Sequence, residues 1–389
     1  MSEWPIRKLG DLCTKITVGH VGSMASRYVT KGVPFLRSQN VKPGRIDLSS
    51  LKYIDEEFHR HLAKSDLSAG DLVIVRTGEP GVAAVIPEGL GKVNCSDLVI
   101  AKPGPDVDVR FLCYAINETA HEFIKAHTVG AVQQHFNIAS AKELTLQLPP
   151  LIEQEAIAEA LGALDDKIAV NGRIAADIET LLRSIYTSLS VGRRTIRIGQ
   201  VGNLVRDSIK PDSLSGGEPY IGLEHMPRKS IWLNSWGEAS GVSSVKSAFK
   251  DGDILFGKLR PYFHKVGIAQ ISGVCSTDII VVRALEDGCR SWLLMALSSD
   301  EVVAHATARS DGTRMPRAKW SDLAEFQAPW AEPVKVARFE EIAVPLIKKA
   351  ECGAAENRTL ASLRDTLLPQ LMSGKLRVRD AERIVEDAV

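Results

Sequence analysis

The chain has 389 residues, with 48 Lys and Arg against 48 Asp and Glu, so its formal net charge is zero. That length exceeds what one hydrophobic core usually serves, and two or more domains are expected. Neutrality excludes a polybasic nucleic-acid coat and an acidic disordered tail, and 44% hydrophobic with 25% charged residues is the makeup of a soluble protein.

The start, Met1-Ser2-Glu3-Trp4-Pro5, lacks the basic and apolar runs of a signal peptide. No apolar stretch approaches the ~20 residues that span a bilayer, so a cytoplasmic protein with no membrane partner is expected. Cys13, Cys95, Cys113, Cys275, Cys289 and Cys352 form no CxxC pair. Reduced thiols are therefore expected, with neither a disulfide framework nor a zinc site.

Residues 1–148 carry 17 basic and 16 acidic side chains. Short apolar runs such as Asp71-Leu72-Val73-Ile74-Val75 between Gly, Pro, Asp and Asn predict strands and turns, and Arg110–His127 reads as a helix. Residues 149–190, with 3 basic and 7 acidic side chains, have no strand character. After Leu148-Pro149-Pro150 the apolar positions Ile157, Leu161, Leu164, Ile168, Ala175, Ile178, Leu182, Ile185 and Leu189 step by four and three, and Asn171 fills the one polar step. That spacing predicts a heptad helix from Glu153 to Leu189, roughly 55 Å long at ~1.5 Å per residue.

Residues 191–330 (18 basic, 15 acidic) return to strands and turns, with Asp278-Ile279-Ile280-Val281-Val282 and a helical Ser291–Ala308. Residues 331–378 repeat the long helix through Phe339, Ile342, Leu346, Leu360, Leu363, Leu367 and Leu371. Lys349, Gly353 and Glu356 interrupt the stripe, and Pro345 predicts a kink or restart. Residues 379–389 read as a tail.

The halves align. Asp71 falls on Asp253, and Ile178, Leu181, Ile185 and Leu189 fall on Leu360, Leu363, Leu367 and Leu371, each at an offset of 182 read from the numbering. Asn94-Cys95-Ser96-Asp97 resembles Cys275-Ser276-Thr277-Asp278, and Val33-Pro34-Phe35-Leu36 resembles Glu218-Pro219-Tyr220-Ile221. A period this long is a duplicated half-molecule, not a solenoid. The fold expected is α+β: two similar domains separated by two long antiparallel helices that pack as a coiled-coil spacer. Pairing Ile157 with Leu371 sets Asn171 opposite Asn357, a polar pair that would fix the register.

Motifs for catalysis are missing. Gly252-Asp253-Ile254-Leu255-Phe256-Gly257-Lys258 has phosphate-loop spacing, but Leu259 stands where a Ser or Thr would hold Mg²⁺, and the interior is strand material. No HExxH, GxSxG, Gly-rich cofactor turn or Asn-Pro-Pro-Tyr tetrapeptide is present. His59 and His61 read as solvated, and Asp71, Asp253, Asp97 and Asp278 as turn formers.

Polar clusters instead lie at matching places in the two halves. In the first they include Gln39, Asn40, Arg76, Thr77, Gln133, Gln134 and His135. In the second they include Lys258, Arg260, Tyr262, Thr313, Arg314 and Arg317. Gln, Asn and Arg can bond base edges in pairs, and loops that differ at equal positions suggest two readers of different short DNA sequences. No catalytic residue and no metal ligand is assigned.

Leu148-Pro149-Pro150-Leu151-Ile152-Glu153-Gln154-Glu155-Ala156-Ile157-Ala158, with Leu164-Asp165-Asp166-Lys167-Ile168 and Asn171, resembles the central conserved region of type I restriction–modification specificity subunits. Leu363-Arg364-Asp365-Thr366-Leu367-Leu368-Pro369-Gln370-Leu371-Met372-Ser373-Gly374-Lys375-Leu376 is similar to their C-terminal conserved region. Pro329-Trp330-Ala331-Glu332-Pro333 departs from the pattern by lacking the Glu-Gln pair. The resemblance implies a non-catalytic subunit with two target-recognition domains, each reading one half of a gapped site in double-stranded DNA. It also implies two modification (methyltransferase) subunits on the helices, and restriction (endonuclease/translocase) subunits beyond them. S-adenosylmethionine, ATP and Mg would sit on those partners, with no cofactor in this chain. The alternatives are a specificity subunit serving a fused nuclease–methyltransferase, an enzyme with an unrecognised site, and a coiled-coil adaptor without DNA.

Overall fold

The computed structural model describes residues 4–127, 136–190, 194–312 and 314–389. The chain forms two compact units, residues 1–167 with 359–389, and residues 168–358. They share one plan.

In the first unit the strands that matter below are Val33–Leu36 (β1), Leu72–Val75 (β2), Val93–Cys95 (β3) and Leu98–Pro103 (β4). β2 and β4 lie side by side at the centre of a four-stranded sheet, flanked by Ala83–Val85 and Cys13–Val18. β1 and β3 pair in parallel in a second sheet between Lys52–Ile54 and Asp66–Leu67. Leu72, Val73, Ile74, Leu98, Val99 and Ile100 are all buried, as an unbroken apolar run predicts for a strand covered on both faces.

The second unit repeats this with Pro219–Ile221 (β5), Ile254–Gly257 (β6), Gly273–Cys275 (β7) and Ile279–Ala284 (β8). β6 and β8 are central between Val266–Ile268 and Gly202–Leu204. β5 and β7 pair in parallel between Gly237–Glu238 and Lys246–Phe249, with Ser208–Ile209 added at the edge. Even the turns match. Asp71 accepts from the Ser68 amide and pairs with Lys102, while Asp253 accepts from the Lys250 amide and pairs with Arg283. The run with phosphate-loop spacing is thus a buried strand with its turn.

The halves differ where helices cover the sheets. Val109–His127 is one helix, but its counterpart is two, Arg290–Leu297 and Asp300–Ala308. The Ser299 hydroxyl accepts from the Val302 amide and starts the second of these. His59 is buried against Asn94 (3.2 Å) rather than solvated; the polar stretch around it is a short helix, Glu56–His61, that turns this one ring inward.

The long helices are Leu151–Leu189 (α1) and Pro333–Met372 (α2). α2 is continuous through Pro345 and starts on Pro333, where a missing N–H costs nothing. In the second unit Tyr186 meets Phe339 (6.4 Å between ring centres), and the Asn171 amide donates to Asn357 Oδ1 at 2.9 Å. The two segments there run antiparallel in the register drawn from the sequence. Asn171 also donates to Glu356 (2.6 Å), and Asn357 to the Ile168 carbonyl (3.3 Å). In the first unit Arg364 of α2 bonds Asp165 of α1 at 2.6 Å, and Ile157, Leu161, Leu164, Leu360, Leu367 and Leu371 are buried. Beyond Gly374, whose φ of 64° ends the run, residues read as a tail form a further helix, Val378–Glu386.

Candidate nucleic-acid interface

Parallel pairing of β1 with β3 and antiparallel pairing of β2 with β4 bring the ends of three strands together in the first unit. The Ser96 amide donates to the Leu36 carbonyl (2.9 Å), and Leu98 lies opposite Val75. Residues 37–40, 76–78 and 96–97 therefore share one rim. Arg76 Nη1 reaches Asp97 Oδ1 at 2.5 Å, with the arginine side chain 19% exposed. Asp97 sits at φ 39°, and Thr77 Oγ1 lies 3.4 Å from its second oxygen. Arg76 is thus oriented by a carboxylate rather than swinging in solvent.

Gln39 and Asn40 close a 3₁₀ turn, Ser38–Asn40. Asn40 is fully buried, accepts from the Arg37 amide (3.1 Å) and donates to the Asp47 carbonyl (3.0 Å). Its amide holds the turn and does not reach the surface. Gln39 is exposed and donates to Ser50 Oγ at 3.2 Å. Gln133, Gln134 and His135 lie outside the described residues. The Phe136 amide that follows them donates to the Arg76 carbonyl (3.2 Å).

The second rim is assembled the same way. Ser276 N donates to Ile221 O (3.0 Å), Lys258 N to Asp278 O (2.9 Å) and Ala318 N to Lys258 O (3.0 Å), the last reproducing the Phe136–Arg76 bond. Asp311 and Arg317 bond each other through both backbones (3.2 and 3.0 Å), pinching off a loop that carries the exposed Arg314; Thr313 lies outside the described residues. Arg317 Nε bonds Asp278 Oδ1 at 3.0 Å. An aspartate at one equivalent position is thus met in one unit by an arginine from the strand end, and in the other by one from the later loop.

The second 3₁₀ turn, Leu223–His225, was not singled out from sequence. His225 Nδ1 accepts from the Gly222 amide (2.9 Å), the role of Asn40, and Glu224 is exposed at the place of Gln39. The only cue in the sequence was the Pro-aromatic-Ile/Leu strand before each turn, because the turn residues themselves differ. Lys265 reaches back to the Leu223 carbonyl; burial, and then the Arg228 charge, push its ammonium below the usual lysine range.

Each rim therefore presents polar and cationic side chains on a frame of buried strands. Among the described residues no group of His, Cys, Asp and Glu is arranged to hold a metal ion. None of the described helices is long and apolar enough to cross a membrane.

Residues 1–180 match the family model described as the type I restriction modification DNA specificity domain. The crystal structure of a type I restriction–modification system S subunit from M. genitalium superposes over 95% of this chain and 96% of its own, with a TM-score of 0.57 at 16% identity. The chain has the fold of a type I restriction–modification specificity subunit, and its first 180 residues match the DNA specificity domain of that family. The family match ends near the close of α1, and the internal repeat carries the same plan through residue 330. Among curated members, the type I restriction enzyme EcoDI specificity subunit of Escherichia coli is 31% identical over 106 residues, 25% of this chain and 23% of that one. The type I restriction enzyme MjaVIII specificity subunit of Methanocaldococcus jannaschii is 23% identical over 180 residues, 44% of this chain and 42% of that one. The chain spans half or less of the length of the curated relatives it matches.

Proposed function

We propose that this chain is the non-catalytic DNA-specificity subunit of a cytoplasmic type I restriction–modification complex, its two domains (residues 1–148 and 191–330) each reading one half of an asymmetric, gapped site. The observation that carries this reading is the pairing of one frame with two chemistries. The Asn40 and His225 turns and the Phe136 and Ala318 anchors coincide, while the side chains they present do not. Arg76, Thr77, Gln39, Gln133, Gln134 and His135 would serve the first half-site. Lys258, Arg260, Tyr262, Thr313, Arg314, Arg317 and the newly placed Glu224 would serve the second. Arg is matched to guanine, Gln to adenine, and a carboxylate to the cytosine amino group.

In this reading α1 and α2 set the gap between the half-sites and dock two modification subunits, to which restriction subunits add. Two readers on one face of B-DNA favour centres about 34–36 Å apart or a multiple of that. S-adenosylmethionine, ATP and Mg belong to the partners. Phosphate neutralisation supplies much of the affinity in DNA complexes, so a chain of zero net charge should bind weakly alone. The test is a footprint with and without the co-expressed modification subunit. Protection of two separated segments only when that subunit is present supports the proposal. Equally tight protection by the lone chain at physiological salt, or none by the complex, refutes it.

A further inference from the structure

The loop after β6 keeps the frame of the loop after β2 but is built differently at its tip. Counted from the matching residues Arg76 and Lys258, Gly78 and Arg260 hold the same position, with φ of 94° and 51°. Glycine adopts this left-handed conformation freely, whereas arginine does so against a steric cost. The first loop closes on Gly81 (φ 94°), and the second, one residue longer, closes on His264 (φ 51°). Between its two left-handed residues the second loop forms a 3₁₀ turn, Pro261–Phe263.

That turn is held at every point. Arg260 N donates to Pro316 O (2.7 Å), and Lys229 N to His264 O (2.9 Å). The buried His264 ring bonds the Ser298 carbonyl (3.0 Å), and the Arg228 guanidinium lies 4.1 Å from the Phe263 ring centre. Tyr262 alone projects. It is 51% exposed, edge-on to Phe263 at 4.8 Å, on the rim that carries Lys258, Arg260 and Arg314. Strained non-glycine residues persist where the surroundings over-determine them, and they gather at sites of function. Here the strain stiffens the base of an exposed aromatic ring, whose two side-chain torsions leave little freedom to lose on contact.

We infer that Tyr262 stacks into a base step of the second half-site, unstacking it and bending the duplex, in the manner of an apolar wedge. The equivalent Gly78-Glu79-Pro80-Gly81 loop has no aromatic ring to stack on a base, so this contact belongs to the second half-site alone. The inference rests on the DNA reading above and assigns one residue a mechanical role within it.

The test uses the complex with modification subunits, at concentrations that saturate a duplex bearing the target, with 2-aminopurine placed in turn at each position of both half-sites and no S-adenosylmethionine added. The inference expects a several-fold fluorescence rise at a step of the second half-site with the native chain and with Tyr262→Phe, lost in Tyr262→Ala. A rise at a base extruded for methylation would be the same in all three. An intact two-segment footprint with a signal indifferent to Tyr262→Ala overturns the wedge and leaves the DNA reading standing. Absence of any footprint overturns both.

Discussion

Gln154 and Glu340 do one job with different side chains. Gln154 Oε1 accepts from the Asp108 amide (3.0 Å) at the start of the helix Val109–His127, and Glu340 Oε1 accepts from the Trp292 amide (2.9 Å) in the first turn of Arg290–Leu297. Burial raises the Glu340 carboxyl above its usual range. Its protonated form is therefore favoured in the folded chain, and the stability of the second unit falls as pH rises from the ordinary carboxylate range through the raised value. Glu340→Gln keeps the acceptor and removes the charge. Urea unfolding should show the variant more stable at pH 7, with the difference shrinking as the pH falls toward 4; a gap that widens in acid would contradict the assignment. At the recognition rim, Arg314→Ala should relax or change the second half-site alone, losing about 1–3 kcal/mol of base discrimination there. Loss at both half-sites in a binding-site selection would show that Arg314 reads no base.

Among the elements, the Asn171–Asn357 contact is the sharpest case of sequence arithmetic meeting geometry. Asn171 has only 9% of its surface exposed, and its amide is shared between Asn357 and Glu356. Replacing Asn171 by Leu alone leaves the half-buried Asn357 without this donor and should cost about 1 kcal/mol in urea unfolding. Replacing both Asn171 and Asn357 by Leu should recover that loss while weakening the register. A double variant as unstable as the single one would mean the amides do not act as a pair. The helices were legible because the heptad stripe needs no partner to be seen. Pro345 does not restart the helix, because an apolar seam on both sides of the proline carries it through. The Asn40 and His225 turns were half legible: the strands before them repeat, but a side chain capping its own turn leaves no periodic trace. Asn40 read as a base reader because its residue type suits both tasks, and only burial separates them.

At the scale of the whole molecule, duplication builds a chain of zero net charge as two copies of one frame. The β1–β3 and β5–β7 pairings and the shared loop anchors preserve the platform. Gln39 against Glu224, and Gly78 against Arg260, vary what stands on it. Such an arrangement suits a subunit that supplies selectivity while its partners supply chemistry. Methylome sequencing of cells that express the chain with its modification subunit tests this most directly. The account predicts a split motif with two unlike half-sites at a constant gap, whereas a continuous motif, two identical halves or a variable gap would contradict it.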